Sequence, residues 1–272
     1  MILLLLSLVA ALAVAWFWRE PLFGEWRRQR IRRRPFPAEW RQILRRHVPY
    51  FRAMPADLQL QLKKRIQVFL AEKPFIGCAG LEVTDEIRVT IAAQACLLVL
   101  NRRGESFANL RQILVYPGPF VVDKLHADGS GVLQEQRHAL AGESWTLGQV
   151  VLSWEDALAG AESPDDGRNV VIHEFAHQLD QETGRANGGP PMSGKARRAR
   201  WSRVLEAEFE ALRRGVHDGQ PMLLSTYGAS SPAEFFAVVS EVFFEQPGQL
   251  SAAHPALYQV LSDFYRVDPL SW

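Results

Sequence analysis

The chain has 272 residues, 47% of them hydrophobic, which is enough to bury one substantial core, so we expect one main domain. Its 31 basic and 30 acidic residues leave a net charge of +1, and this balance gives no support for a nucleic-acid-binding protein. Two cysteines are too few for a disulfide framework, which excludes the small disulfide-stabilised domains.

The first predicted element is an apolar segment at residues 1–18, "MILLLLSLVAALAVAWFW". At 1.5 Å per residue a helix of this length spans about 27 Å, close to the thickness of a hydrocarbon core. No basic residue precedes the segment, and it ends in Trp16, Phe17 and Trp18, which are typical of a membrane interface rather than a cleavage site. We predict one transmembrane helix that anchors the chain, with a cleaved signal peptide as the alternative.

A basic juxtamembrane segment follows at residues 19–34, with six arginines between Arg27 and Arg34. Arginines beside an apolar span favour the cytoplasmic side, so we predict a single-pass protein of the inner membrane whose domain, residues 35–272, faces the cytoplasm. The simplest interpretation of the run is a solvated spacer, to which attraction by anionic lipid adds. No aromatic interleaving accompanies it, and no direct contact with nucleic acid is predicted.

The rest of the chain predicts helices, then a small sheet, then helices. Apolar residues at three- and four-residue spacing predict the helices, and short β-rich runs between Gly, Pro and Asp predict three or four strands. The fold class is therefore α+β, mainly helical with a small sheet. The predicted helices lie in 37–51, 55–73, 83–103, 169–181, 195–215, 231–248 and 255–269, and the strands in 109–123, 131–142 and 148–157.

The helix at 169–181, "NVVIHEFAHQLDQ", carries ionisable side chains in an otherwise mostly apolar run. His173 and His177 are four residues apart, so on a helix both imidazoles can point at one metal ion. Glu174 lies beside them, in the position of the general base of His-Glu-x-x-His hydrolases. Burial of these groups without a partner would cost several kcal/mol. A pair of hydrogen-bonded core histidines is the alternative.

A catalytic zinc site needs a third protein ligand, and spacing alone does not identify it. The extended motif with a third histidine fails, because Asp180 and Thr183 occupy its Gly and His positions. Glu234 opens a largely apolar helix, although it could also complete a capping box with Ser231. Glu241 lies two turns further along the same face and could be a ligand or a residue that supports one.

The segments "HEFAHQLD" and "STYGASSPAEFFAVVSEVFF", with "YPGPFVVD" and "SWTLGQVVLSW" upstream, resemble the Mlc titration factor A family of zinc metallopeptidases. The active site of that family is similar to that of anthrax lethal factor. The resemblance runs from about Pro35 to Trp272 and implies a zincin-like fold. It also implies that one zinc ion is held by His173, His177 and Glu234, with Tyr227 near the site.

The predicted function is peptide hydrolysis by water that a metal ion activates, with Glu174 as general base and Tyr227 as donor to the oxyanion. The family suggests aminopeptidase-like cleavage. The alternative is a membrane-tethered regulatory protein that captures a cytoplasmic transcriptional repressor of the Mlc type, with zinc mainly structural. An edge strand at 148–154 could pair with a peptide substrate. Asp180 could orient a ligand or simply end its helix.

Overall fold

The computed structural model describes residues 23–102, 107–127, 133–140, 142–145 and 148–272. The predicted anchor at residues 1–18 lies outside these residues. None of the helices in the described part of the chain is both long enough and apolar enough to cross a bilayer.

Most of the described helices lie before β2 or after β6, as the sequence predicts, but β1 precedes α5, and neither α1 nor α6 was predicted as a helix. Cap residues begin several of them, such as Thr84, whose side chain accepts a hydrogen bond from the amide of Ile87. The α-helices are α1 (residues 23–32), α2 (Ala38–His47), α3 (Tyr50–Ala53), α4 (Ala56–Glu72), α5 (Asp85–Leu97), α6 (Trp154–Glu162), α7 (Val170–Asp180), α8 (Lys195–His217), α9 (Pro232–Glu245), α10 (Pro247–Ala253) and α11 (Pro255–Tyr265).

Two separate β structures lie between α4 and α6. The strands are β1 (Phe75–Gly77), β2 (Gln112–Tyr116), β3 (Phe120–Ala127), β4 (Leu133–Leu140), β5 (Gly142–Trp145) and β6 (Gln149–Ser153). A four-stranded sheet has the order β1-β2-β6-β5, with β1, β2 and β6 parallel and β5 antiparallel to β6. Strands β3 and β4 form an antiparallel hairpin of their own. The α+β prediction is confirmed.

The core holds α7 and α9 side by side, with α5 and α6 packed against α7. The apolar residues of α7 are buried in the core, and Phe175 is fully buried with its ring 4.9 Å from that of Phe107. Helix α9 buries nearly every residue after its first turn. Side chains on the facing surfaces of α7 and α9 are therefore held in fixed positions by close packing.

The predicted strand at 148–157 ends early, because Ser153 caps a helix that begins at Trp154. A second error in the strand prediction bears on function. The predicted edge strand, β6, lies inside the sheet between β2 and β5. The edge on that side is β5, which the sequence analysis did not distinguish because it has only four residues. Of the two edges of the described sheet, β1 and β5, β5 is therefore the one that adjoins α7 and is available for pairing there.

Candidate metal centre

The two histidines of α7 and the glutamate at the start of α9 converge on one point. Nε2 of His173 lies 3.0 Å from Oε2 of Glu234, and Nε2 of His177 lies 3.3 Å from the same oxygen. The imidazole centroids are 4.9 Å apart and the ring planes are nearly perpendicular. Among the described residues, only this group of His, Cys, Asp and Glu side chains offers ligand atoms that all lie within 4.8 Å of one another.

Local sequence places both helix ends that frame the site. The side chain of Asn169 accepts a hydrogen bond from the amide of Ile172 at 2.9 Å and begins α7. Ser231 does the same for the amide of Glu234 at 3.2 Å, and Pro232 occupies the first turn of α9. Glu234 therefore takes part in the capped first turn through its backbone while its carboxylate reaches the histidines.

The electrostatics of the cluster fit a cation. Burial lowers the pKa of His173, but hydrogen bonds with Glu234 and Glu241 outweigh burial and raise this pKa well above its usual range. Burial would raise the pKa of Glu234, yet its hydrogen bonds with His173 and His177 lower it far below the ordinary value. A largely buried carboxylate that two imidazoles stabilise in its charged form is suited to binding a divalent ion. The His₂Glu donor set is one that catalytic zinc uses.

Glu241 lies on the opposite side of the His173 ring from Glu234. Its Oε1 is 2.7 Å from Nδ1 of His173, and its Oε2 accepts a hydrogen bond from the amide of Asn169 at 2.5 Å. With Nδ1 donating to Glu241, Nε2 is the ring nitrogen that would offer its electron pair to a metal ion placed between it and Glu234. The structure thus separates the two glutamates that spacing left open: Glu234 faces the shared point, and Glu241 orients the ring.

Asn169 extends this arrangement into a buried polar network that the sequence analysis missed. Its Nδ2 donates to the carbonyl of Gly160 at 3.1 Å and to Oε1 of Glu245 at 2.9 Å. The network of Asn169, Glu241 and Glu245 ties α6, α7 and α9 together behind His173. An Asn before an apolar run signals a helix start, but its contacts with Glu241 and Glu245 depend on the packing of α9.

Glu174 points to the sheet side of α7 and is buried, with 5% of its surface exposed. A Cβ atom at Gly142 would lie 2.7 Å from Cγ of Glu174 and 2.6 Å from Cγ2 of Val170. Because β5 approaches α7 this closely, only glycine fits at this position. Glu174, the residue after His173, is therefore in close contact with the edge strand.

Tyr227 lies in a short 3-10 helix, Thr226–Ala229, directly before α9. Its ring centroid is 6.0 Å from that of His173, and 55% of the residue is exposed. The structure therefore brings Tyr227 to the mouth of the site.

Asp180 supports the loop after α7 and does not hydrogen-bond either histidine. Its Oδ2 accepts hydrogen bonds from the amides of Asn187 and Gly188, both at 2.7 Å. Gly188 has φ +76°, and a Cβ atom there would lie 2.5 Å from the carbonyl oxygen of Pro232. The loop is thus held by the end of α7 and packs against the first turn of α9 at Pro232, two residues before Glu234.

A mainly helical domain that presents this donor set beside the edge of a small mixed sheet belongs to the class of metallopeptidases. The sequence matches the profile of the glucose-regulated metallo-peptidase M90 family over residues 23–266. The chain therefore belongs to that family. The family resemblance stated from the sequence is confirmed.

Individual relatives agree with this assignment. Protein slr2042 of Synechocystis is 38% identical over 258 residues, which cover 94% of each chain. Mlc titration factor A of Klebsiella pneumoniae is 34% identical over 234 residues, covering 85% of this chain and 87% of its own. Mlc titration factor A of Escherichia coli is 33% identical over 233 residues, covering 85% of this chain and 86% of its own.

Proposed function

We propose that the chain is a zinc-dependent peptidase that binds one ion through His173, His177 and Glu234. The observation that carries the proposal is the convergence of two Nε2 atoms on one carboxylate oxygen, with ligand atoms within 4.8 Å of one another. Membership of a metallopeptidase family supports the same conclusion. Two histidines and one acid leave a coordination position for water, as in other hydrolytic zinc sites.

In this proposal each residue around the site has a distinct role. A bound zinc ion supplies Lewis acidity and lowers the pKa of water towards 7. Glu174, one residue after His173, takes the proton of the attacking water and passes it to the leaving amine. Tyr227 donates a hydrogen bond to the oxygen of the attacked carbonyl as negative charge develops there.

We place the substrate along β5, the edge that adjoins α7. An extended peptide can add to such an edge as a further strand, with main-chain hydrogen bonds holding its carbonyl in place. The close approach of Gly142 to Glu174 supports this position, because it sets the edge strand directly beside the proposed base.

The experiment that tests the function is Glu174→Gln in the full chain. The amide cannot take a proton, so hydrolysis of short peptides should fall by about 10²- to 10⁴-fold while one equivalent of zinc is retained. Exposed Glu206 on α8 provides a matched control, Glu206→Gln, which should leave the rate unchanged. Peptides with free and acetylated N-termini should be compared, because aminopeptidase-like cleavage requires the free amine. An unchanged rate in Glu174→Gln would remove the peptidase proposal.

A second candidate function is capture of a transcriptional repressor, with zinc mainly structural. The name of the relatives, Mlc titration factor A, favours it. The same variant separates the two functions, since Glu174→Gln should bind an Mlc-type repressor as tightly as the native chain does. Both functions can coexist on one domain.

We also propose that residues 1–18 anchor the chain in the cytoplasmic membrane, that residues 19–34 form a juxtamembrane segment whose helix α1 packs against the folded domain, and that the peptidase domain faces the cytoplasm. The support is the apolar run followed by arginines. Sequencing the N-terminus of the membrane-extracted protein distinguishes this arrangement from a cleaved signal peptide.

A further inference from the structure

The second half of helix α1 and the turn that follows it are held against α4. Nε of Arg28 lies 2.7 Å from Oε1 of Glu72, near the end of α4. Beyond the end of α1, the Gln67 amide donates to the carbonyls of Arg34 and Pro35 at 3.1 and 3.3 Å. Ile31, which is 9% exposed, fills the interface between them. α1 is thus a rigid part of the folded domain.

The opposite surface of α1 carries two aromatic residues and three arginines. Phe23 is 61% exposed and Trp26 53%, and their ring centroids lie 5.6 Å apart. The guanidinium of Arg30 lies 5.6 Å from the Trp26 ring. Three- and four-residue spacing aligns Phe23, Trp26 and Arg30, and Arg33 and Arg34, both exposed, follow in the turn directly after the helix. We call Phe23, Trp26, Arg30, Arg33 and Arg34 the outer face of α1.

Positive charge is concentrated in this part of the molecule. Residues 23–72 contain 13 basic and 4 acidic residues, whereas the other 222 residues contain 18 basic and 26 acidic ones. Basic residues of the neighbouring helices α2 and α4 are also close in space. Burial lowers the pKa of Lys63 on α4, and repulsion from Arg41 and Arg45 on α2 lowers it further. A near-neutral chain therefore has one strongly basic region that includes α1.

We infer that the outer face of α1 binds the headgroups of anionic phospholipids and so fixes the orientation of the domain on a bilayer. The arginines complement the phosphates, and each basic residue near such a surface strengthens binding about fivefold. Phe23 and Trp26 suit the boundary between headgroups and acyl chains, and they lie at the end of α1 nearest the apolar residues 1–18. The aromatic pair at this end favours lipid over nucleic acid. This inference does not depend on the peptidase proposal.

The test uses the full native chain in lipid nanodiscs. The rate of phenylglyoxal modification of each arginine is measured by mass spectrometry in discs of phosphatidylcholine and in discs with one quarter phosphatidylglycerol. Arg30, Arg33 and Arg34 should react at least fivefold more slowly in the anionic discs. Exposed Arg203 and Arg214 on α8 are matched controls in the same molecule and should react equally in both. The protection should disappear in about 1 M salt, where the screening length is about 3 Å.

Three results would overturn the inference. Equal modification rates of Arg30, Arg33 and Arg34 in the two kinds of disc would mean that lipid charge plays no part. Slower reaction of Arg203 and Arg214 to the same degree would indicate a general shielding of the domain. Stronger protection by duplex DNA in solution than by the anionic discs would assign the face to nucleic acid instead.

Discussion

The two sides of the His173 imidazole differ in almost every physical respect. Behind the ring, Glu241 and Glu245 are each 8% exposed and Asn169 is 1% exposed, and hydrogen bonds connect the start of α7 with α9 through them. In front of the ring, Tyr227 is 55% exposed and β5 has an unpaired edge in the described sheet. The buried side can fix the geometry of the ring, while the open side can admit a substrate. Such a division is typical of sites in which a rigid scaffold positions accessible chemistry.

The largest effect is expected from Glu234→Ala, which removes the carboxylate that both imidazoles contact. Two imidazoles alone should not retain zinc, so we expect the metal content to fall from one equivalent to near zero and hydrolysis to be lost. Metal analysis of the purified protein measures this, with Glu206→Ala as control. Retention of a full equivalent by Glu234→Ala would show that another residue is the third ligand.

The next effect concerns the stability of the buried side and its dependence on pH. Burial raises the pKa of Glu245 to about 8, although the hydrogen bond from Asn169 opposes this, and repulsion from Asp166 and Glu241 adds to it. The folded state therefore keeps a proton that the unfolded chain loses near pH 4.5. The contribution of this protonated side chain to the free energy of unfolding is therefore complete below pH 4.5 and is lost as the pH rises to about 8.

Glu245→Gln, which imitates the protonated side chain, should remove this loss. At pH 5 its free energy of unfolding should equal that of the native chain, and at pH 8.5 it should exceed it by a few kcal/mol, on the order of 3. Denaturant titrations of metal-free protein at both pH values measure the difference. Glu206→Gln should give no pH-dependent change. An equal effect of Glu245→Gln at both pH values would refute the assignment of the proton.

A smaller effect is expected from Glu241→Gln, which leaves the metal ligands intact. The amide offers one acceptor oxygen where the carboxylate serves both His173 and Asn169, so the ring loses part of its orientation. Zinc affinity in chelator competition should weaken by about 10- to 100-fold, with full stoichiometry at saturation. Glu245→Gln, which does not touch His173, is the control. Complete loss of zinc would make Glu241 a ligand, and unchanged affinity would remove its orienting role.

The smallest effect should come from the open side, in Tyr227→Phe. Loss of one hydroxyl from a half-exposed residue should reduce kcat roughly tenfold, less than the loss of a donor in an enclosed site. Zinc content and the free energy of unfolding should not change, because the ring keeps its place beside His173. A native kcat in this variant would exclude Tyr227 as an oxyanion donor.

How far the sequence predicts the site depends on how local each relationship is. The positions of His173, Glu174 and His177 follow from helical spacing within one turn, and the caps Asn169 and Ser231 were within reach of the same reasoning. The choice between Glu234 and Glu241 was not, because both lie on one face of α9 and only the approach of α7 shows which ring nitrogen each one meets. The edge strand was also misplaced, since strand order in a sheet is a non-local property.

The sequence by itself determined most of the helical elements, the α+β class and the candidate metal ligands, because helix periodicity, capping and ligand spacing are encoded within a few neighbouring positions. Only the tertiary structure decided that Glu241 orients His173, that Asp180 holds a loop, that β5 is the edge beside Glu174 and that Glu245 retains a proton. Each of these depends on burial and on contacts between segments distant in the chain, and those distances arise only when the helices pack.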